Sequence, residues 1–215
     1  MITNAGIASK VAEFLLQIKA VKLQPQQPFT WASGWKSPIY CDNRKTLSYP
    51  MIRTYIRQQF VKIIGDNFPT PDVIAGVATG AISHGVLVAE EMGLPFVYIR
   101  PEPKKHGLGN MVEGEIKSGQ SVIIIEDLIS TGGSSLRAVE VLREAGCEVK
   151  GMAAIFTYGF PDAIENFRKA DVPLITLCDY PSLLRQALKD DFVSDSEIAT
   201  LEAWRDSPAT WGGKQ

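Results

Sequence analysis

Apolar residues recur at helical spacing near the start of the chain, where Val11, Phe14, Leu15 and Ile18 line one side of residues 8–18. The same period returns over residues 49–64, with Ile52, Tyr55, Ile56, Phe60 and Ile63 on one side. Between these two predicted helices lies a turn-rich aromatic stretch, residues 25–42, containing Pro25, Pro28, Gly34 and Pro38. Its composition predicts loops and short strands. From Pro71 onward the pattern changes. Five short, continuous apolar runs follow: 73–77, 96–99, 121–125, 149–156 and 174–177. Helix-like stretches separate them, one ending near Met92, one over 135–145, and one after the fourth run. Ser194-Asp195-Ser196-Glu197 matches a capping box and predicts a last helix.

Short apolar runs alternating with helices predict an α/β fold: a central, mostly parallel sheet covered by helices on both faces. The chain divides into an N-terminal part (1–70), an α/β core (71–190) and a C-terminal helix and tail (191–215), all within one structural domain. A length of 215 residues suits one domain with a sizeable core.

Charge and cysteine usage narrow the function classes. The formal net charge is −2, without the basic excess of a nucleic-acid binder. Cys41, Cys147 and Cys178 lie far apart and form no Cys-x-x-Cys pair, so neither a zinc site nor a disulfide framework is expected. A reducing, cytoplasmic setting fits them. No signal peptide is expected, and no run approaches the ~20 apolar residues of a membrane helix.

The most informative segment is Val122-Ile123-Ile124-Ile125-Glu126-Asp127-Leu128-Ile129-Ser130-Thr131-Gly132-Gly133-Ser134-Ser135. In an open α/β sheet, ligands bind beyond the carboxyl ends of the strands. Gly132 and Gly133 let backbone approach a ligand. Exposed N–H groups at the helix start, with the hydroxyls of Thr131, Ser134 and Ser135, suit a phosphate. Two adjacent carboxylates repel a phosphate but accept hydrogen bonds from vicinal hydroxyls such as those of a ribose. The plainer reading is a capped helix behind a Gly-Gly turn. The acidic pair and the Ser-Thr-Gly-Gly-Ser string together favour a ligand site. The loop is not a Walker A motif, since no Lys follows the glycines, and G-x-G-x-x-G is absent.

This segment resembles the phosphoribosyl pyrophosphate (PRPP) signature of the type I phosphoribosyltransferases. The resemblance implies that Glu126 and Asp127 hold the ribose 2′- and 3′-hydroxyls. It also implies that the loop through Leu128, Ile129, Ser130, Thr131, Gly132, Gly133 and Ser134 wraps the 5′-phosphate. Two further segments resemble the orotate phosphoribosyltransferase family. Phe29-Thr30-Trp31-Ala32-Ser33-Gly34-Trp35-Lys36-Ser37-Pro38-Ile39-Tyr40-Cys41-Asp42 is similar to the family's N-terminal hood, which helps enclose the orotate ring. Tyr40 matches a base-facing position, and Lys22 a lysine near orotate and pyrophosphate. Taken singly, Phe29 and Trp31 read as packing residues.

Arg100-Pro101-Glu102-Pro103-Lys104-Lys105-His106-Gly107 reads by itself as a basic surface loop. It resembles the family's catalytic loop, which closes over the site and often crosses to the neighbouring subunit of a homodimer. Arg100 and Lys104 would then neutralise the departing pyrophosphate, and His106 would hydrogen-bond or protonate it. Ala78-Thr79-Gly80-Ala81 matches the pyrophosphate turn, while His84 behind it reads as structural. The resemblance further implies Mg²⁺ held mainly by substrate and water, with no dedicated protein metal site. PRPP and orotate are the expected substrates, with Ser130 also facing the base.

Departures from the family pattern are Pro101 after the loop arginine, Gly80 in the pyrophosphate turn, and Phe156-Thr157-Tyr158-Gly159-Phe160 where some members carry Asp-Arg to read the orotate carboxylate. Backbone amides or Ser130 are the alternatives for that contact. A purine or uracil transferase is the main rival, against which the hood and the Lys-Lys-His-Gly string argue. A PRPP-sensing regulator is the other, but the chain has no spare length for a DNA-binding domain.

Overall fold

The computed structural model describes residues 4–31, 33–102 and 111–212. Helix α1 (Ala5–Gln17) opens the chain. The side chain of Asn4 caps it, accepting from the N–H groups of Gly6 and Ile7 at 2.8 and 3.1 Å. The predicted stripe buries Val11 and Leu15, and Phe14 packs edge-on against Tyr55 at 5.4 Å. The turn-rich stretch becomes four short strands. β1 (Val21–Leu23) pairs antiparallel with β4 (Ile39–Cys41), and β2 (Phe29–Thr30) with β3 (Lys36–Ser37). A 3₁₀ segment, Asn43–Ser48, leads into α2 (Pro50–Asn67), which buries Ile52, Ile56, Phe60, Ile63 and Ile64.

The core follows the predicted alternation. In chain order it comprises β5 (Val73–Val77), α3 (Ile82–Met92), β6 (Phe96–Ile99), β7 (Val112–Glu113), β8 (Ser121–Ile129), α4 (Gly133–Glu144), β9 (Glu148–Thr157), α5 (Pro161–Lys169) and β10 (Leu174–Asp179). Then come α6 (Tyr180–Lys189) and α7 (Asp195–Asp206). Six strands form one sheet in the order β10-β9-β8-β5-β6-β7, parallel except for the short edge strand β7. All five predicted runs are strands of this sheet. Helix α6 and strand β7 were not anticipated. α6 has an amphipathic face but follows β10 with no intervening turn, and β7 is only two residues long.

From β5 the chain moves to β6 and β7 on one side, then returns to β8 on the other. The strand order therefore reverses between β5 and β8, which is where open α/β sheets form a crevice. Strand β8 is also longer than predicted. Its pairing with β5 ends at Gly76↔Ile125, but its pairing with β9 continues to Ile129↔Thr157. Residues 126–129 thus belong to a strand with one flank open above the end of β5.

A continuous apolar core runs from α1 through the sheet to α7. Ile123, Ile124 and Ile125 are fully buried, and each such side chain contributes about 1.5–3 kcal/mol through removal from water. Around Trp204 gathers an aromatic cluster. Trp31, Tyr158, Phe160 and Tyr180 all approach its ring within 5.6 Å. Trp31 also donates from Nε1 to the Ile39 carbonyl at 3.1 Å, so it ties the hood strands to α7. Packing is its role, as its residue type suggested.

Candidate active site

Consecutive residues of a strand face opposite sides of a sheet, and this separates the acidic pair at the end of β8. Glu126 turns toward α4. It is 4% exposed, its Oε2 accepts from Ser135 Oγ at 2.9 Å, and its Oε1 accepts from the Asp127 N–H at 2.9 Å. Burial, and then the charge of Asp127, pushes its carboxyl well above the ordinary glutamate range. Asp127 turns the other way and is only half-buried. Burial raises its pKa as well, while Arg44 opposes the rise.

The Asp127 carboxylate lies directly against the turn after β5. A Cβ built on Gly80 would stand 2.5 Å from Asp127 Cγ, so no side chain fits there. The Ala78–Thr79 peptide within this turn is cis. The other wall is the 3₁₀ segment. Asn43 Nδ2 donates to the Asp127 carbonyl at 2.5 Å, and Thr46 Oγ1 lies 3.1 Å from His84 Nε2. The segment therefore pins the end of β8 and the first turn of α3 together. Burial, with Arg53 adding to it, lowers the His84 pKa to about 4, so this imidazole is neutral at pH 7. Its structural reading from sequence agrees with this position.

Past Ile129 the chain turns through Ser130 and Thr131 into α4. Gly132 has φ +84°, and a Cβ there would meet Phe167 Cε2 at 2.9 Å. Both facts require glycine. Thr131, Gly133 and Ser134 are exposed at the start of α4, and Ser130 is half-buried. Helix α4 begins without a side-chain cap, which leaves its first N–H groups facing outward beside the hydroxyls.

Lys22 and Tyr40 lie directly opposite each other across the β1–β4 pair, and both are exposed. The structure brings these two predicted positions together, and Phe29 supports the Tyr40 ring at 5.7 Å. Arg100 stands at the end of β6. Its N–H donates to the Met111 carbonyl at 2.8 Å and its guanidinium pairs with Glu113 at 3.2 Å. These contacts close the base of the basic loop. Lys104 and His106 lie outside the described residues. Among the described residues, no group of three His, Cys, Asp or Glu side chains converges as a metal site.

Sequence reasoning placed Asp42 at the end of the hood segment without a role, and overlooked Asn43 and Arg44. Asp42 pairs with Arg44 at 2.6 Å, directly behind Tyr40, and Asn43 reaches Asp127 across 84 positions. The polar string was legible, but its distant partner was not. In the string 156–160, where some family members carry the carboxylate-reading Asp-Arg pair, stands the buried Tyr158, 2% exposed, within the aromatic cluster.

A doubly wound sheet with an acidic strand end facing a glycine turn, and a Gly-rich loop opening a helix beside it, is the site of a transferase acting on a phosphorylated sugar. The family model for the phosphoribosyl transferase domain matches residues 50–205, and the chain belongs to that family. Its relatives include the orotate phosphoribosyltransferases of Porphyromonas gingivalis and Phocaeicola vulgatus. The first is 57% identical over 94% of this chain and 96% of its own, the second 59% identical over 93% and 94%. The solved structure of orotate phosphoribosyltransferase from Aeropyrum pernix superposes with a TM-score of 0.75 at 27% identity, covering 86% of this chain and 99% of that one.

Proposed function

We infer that this protein is an orotate phosphoribosyltransferase, an enzyme that transfers the 5-phosphoribosyl group from PRPP to orotate. The products are orotidine 5′-monophosphate and pyrophosphate, a step of de novo pyrimidine synthesis. The observation that carries the reading is the half-buried Asp127 carboxylate set against Gly80 in the β5–β8 crevice, with a phosphate-type helix start at Gly133 shortly after it.

In this reading Asp127 accepts from the ribose hydroxyls, and Glu126 holds Asp127 and Ser135 in place from the opposite face. Ser130, Thr131, Gly132, Gly133 and Ser134 bind the 5′-phosphate, with Leu128 and Ile129 carrying the loop. The Thr79-Gly80 turn meets the pyrophosphate through its backbone. Lys22, Tyr40 and Ser130 enclose orotate. As the ring nitrogen attacks C1, the ribose gains oxocarbenium character and negative charge grows on the leaving pyrophosphate. Arg100 and Lys104 neutralise that charge, and His106 donates a hydrogen bond or proton to it. Closure of the loop excludes water that would otherwise hydrolyse PRPP.

Mg²⁺ fits this site as a companion of the substrate. Asp127 is the carboxylate at the end of β8 that faces the crevice, and a hard cation takes oxygen ligands from substrate and water readily. When bound, the ion supplies charge neutralisation to the pyrophosphate. A homodimer with shared sites agrees with the exposed apolar side chains Tyr49, Met51 and Val86 on and beside the packed pair α2 and α3. No helix among the described residues is long and apolar enough to cross a membrane. Three free cysteines accord with a cytoplasmic setting. A spectrophotometric assay with PRPP and Mg²⁺ tests the whole reading. Turnover of orotate with little turnover of uracil or hypoxanthine is expected, and turnover of hypoxanthine alone would overturn the substrate assignment.

A further inference from the structure

A crevice that seats a pyrophosphate beside the Asp127 carboxylate needs positive charge close by, because like charges repel strongly where water is excluded. The turn after β5 cannot supply it. Ala78, Thr79, Gly80 and Ala81 are uncharged, and a Cβ at Gly80 would stand 2.5 Å from Asp127 Cγ. Arg100 is paired with Glu113 at 3.2 Å, and Lys22 stands opposite Tyr40 on the hood strands.

The 3₁₀ segment brings a further cation to this place. Asn43 is 1% exposed and is held from both sides. Its Oδ1 accepts from Cys41 Sγ at 3.2 Å, and its Nδ2 donates to the Asp127 carbonyl at 2.5 Å. The backbone of Arg44 is therefore fixed one residue from a direct contact with Asp127. Lys45, the next cation, turns away and donates to the Lys19 carbonyl at 3.1 Å. Arg44 instead donates from Nε to Asp42 Oδ1 at 2.6 Å. Among the described residues, its two Nη groups make no hydrogen bond, and the side chain is 58% exposed. A guanidinium held at Nε with both Nη groups free presents the paired donors that grip two oxygens of a phosphate. The charge of Arg44 is felt by Asp127, where burial raises the carboxyl pKa and Arg44 opposes the rise. Of the groups whose charge raises the Arg44 pKa, Asp42 comes first, then Asp127, then Tyr40. Arg44 is thus coupled more closely to the ribose side of the crevice than to the base side.

We propose that Arg44 is a substrate-binding residue that grips the pyrophosphate of PRPP, supplying from the 3₁₀ segment the charge that the glycine turn lacks. Asp42 holds its guanidinium in place for this contact. The role presupposes PRPP as the substrate, as assigned above.

The test is calorimetry on the full chain with Mg²⁺ and three probes: PRPP, inorganic pyrophosphate and ribose 5-phosphate. Steady-state kinetics with orotate accompany it. Arg44→Gln should weaken PRPP and pyrophosphate by about tenfold or more, because a charge-assisted pair of hydrogen bonds is lost. Ribose 5-phosphate, which has no pyrophosphate, should bind as before, and the KM for orotate should change by less than about twofold. Arg44→Lys should bind PRPP more tightly than Arg44→Gln, since it keeps the charge and loses only the fork. The exposed side chain can be replaced without disturbing the core, which an unchanged circular dichroism spectrum checks. Wild-type protein that binds no PRPP would overturn both the substrate assignment and this role. Three results would overturn this role alone: PRPP affinity unaltered by Arg44→Gln, an equal loss for ribose 5-phosphate, or a raised KM for orotate with PRPP affinity intact. The last would place the guanidinium on the carboxylate of the base.

Discussion

Asp127 and Gly80 act as a pair, because the carboxylate occupies the space a side chain at position 80 would take. Asp127→Asn removes the charge that accepts the ribose hydroxyls, and PRPP affinity should fall by about tenfold or more in calorimetry. Gly80→Ala should have a similar effect by displacing that carboxylate, with circular dichroism unchanged. Unaltered PRPP affinity in both variants would remove Asp127 from the diol site. Lys104→Ala should lower kcat by on the order of 10²-fold while changing PRPP affinity far less, since its charge is needed as pyrophosphate departs. Equal losses in both would argue against that role. His84 supplies the pH dependence. Its folded pKa, about 4, lies below the unfolded value of 6.5, so its contribution is fully present above pH 6.5 and is lost as pH falls toward 4. Between pH 7 and pH 5 this one group should remove about 2 kcal/mol of stability. In urea melts His84→Gln should lose correspondingly less over that interval, and an identical pH slope would exclude the mechanism.

At the scale of elements, strand β8 decides the site. Its pairing with β9 runs four residues past its pairing with β5, and this extension sets Glu126 toward α4 and Asp127 toward the crevice. The apolar run 121–125 was legible as a strand because all five residues are apolar or edge-compatible. The extension was not, since an acidic pair reads as a strand end until a neighbouring strand is known to hold it. Helix α7 shows the opposite case. Its capping box was read directly from Ser194 and Glu197, and both halves are present. The helix carries Trp204 into the aromatic cluster, so its stability bears on the hood through Trp31. Ser194→Ala should cost about 1 kcal/mol in thermal or denaturant unfolding, with orotate turnover at 25 °C preserved. A change below a few tenths would mean that packing alone holds the helix.

For the whole molecule, the reversal of strand order gathers distant segments at one end of the sheet. Residues 40–44, 78–81 and 126–134 meet there, although the contact between Asn43 and Asp127 spans 84 positions. The inferred homodimer belongs to this scale. Met51 is 86% exposed and Val86 43%, and two charges in place of them should disrupt an apolar interface. Met51→Glu combined with Val86→Glu is expected to give a monomer in sedimentation equilibrium and to lower kcat by about tenfold or more if the basic loop serves the neighbouring site. A wild-type chain that sediments as a monomer would remove the shared-site model.

Hydrophobic patterning determined α1, α2, the five long strands, the helices between them and the parallel sheet, because burial on one face or two leaves its period in the sequence, and α7 showed through its capping box. Chemistry also showed locally wherever neighbouring residues act together, as in 126–134. Only the tertiary structure decided which acid of the pair faces the crevice, that Asn43 and Thr46 brace it, and that Tyr158 is enclosed by aromatic rings. Each of these depends on contacts between residues far apart in the chain, and such contacts leave no period or spacing to read.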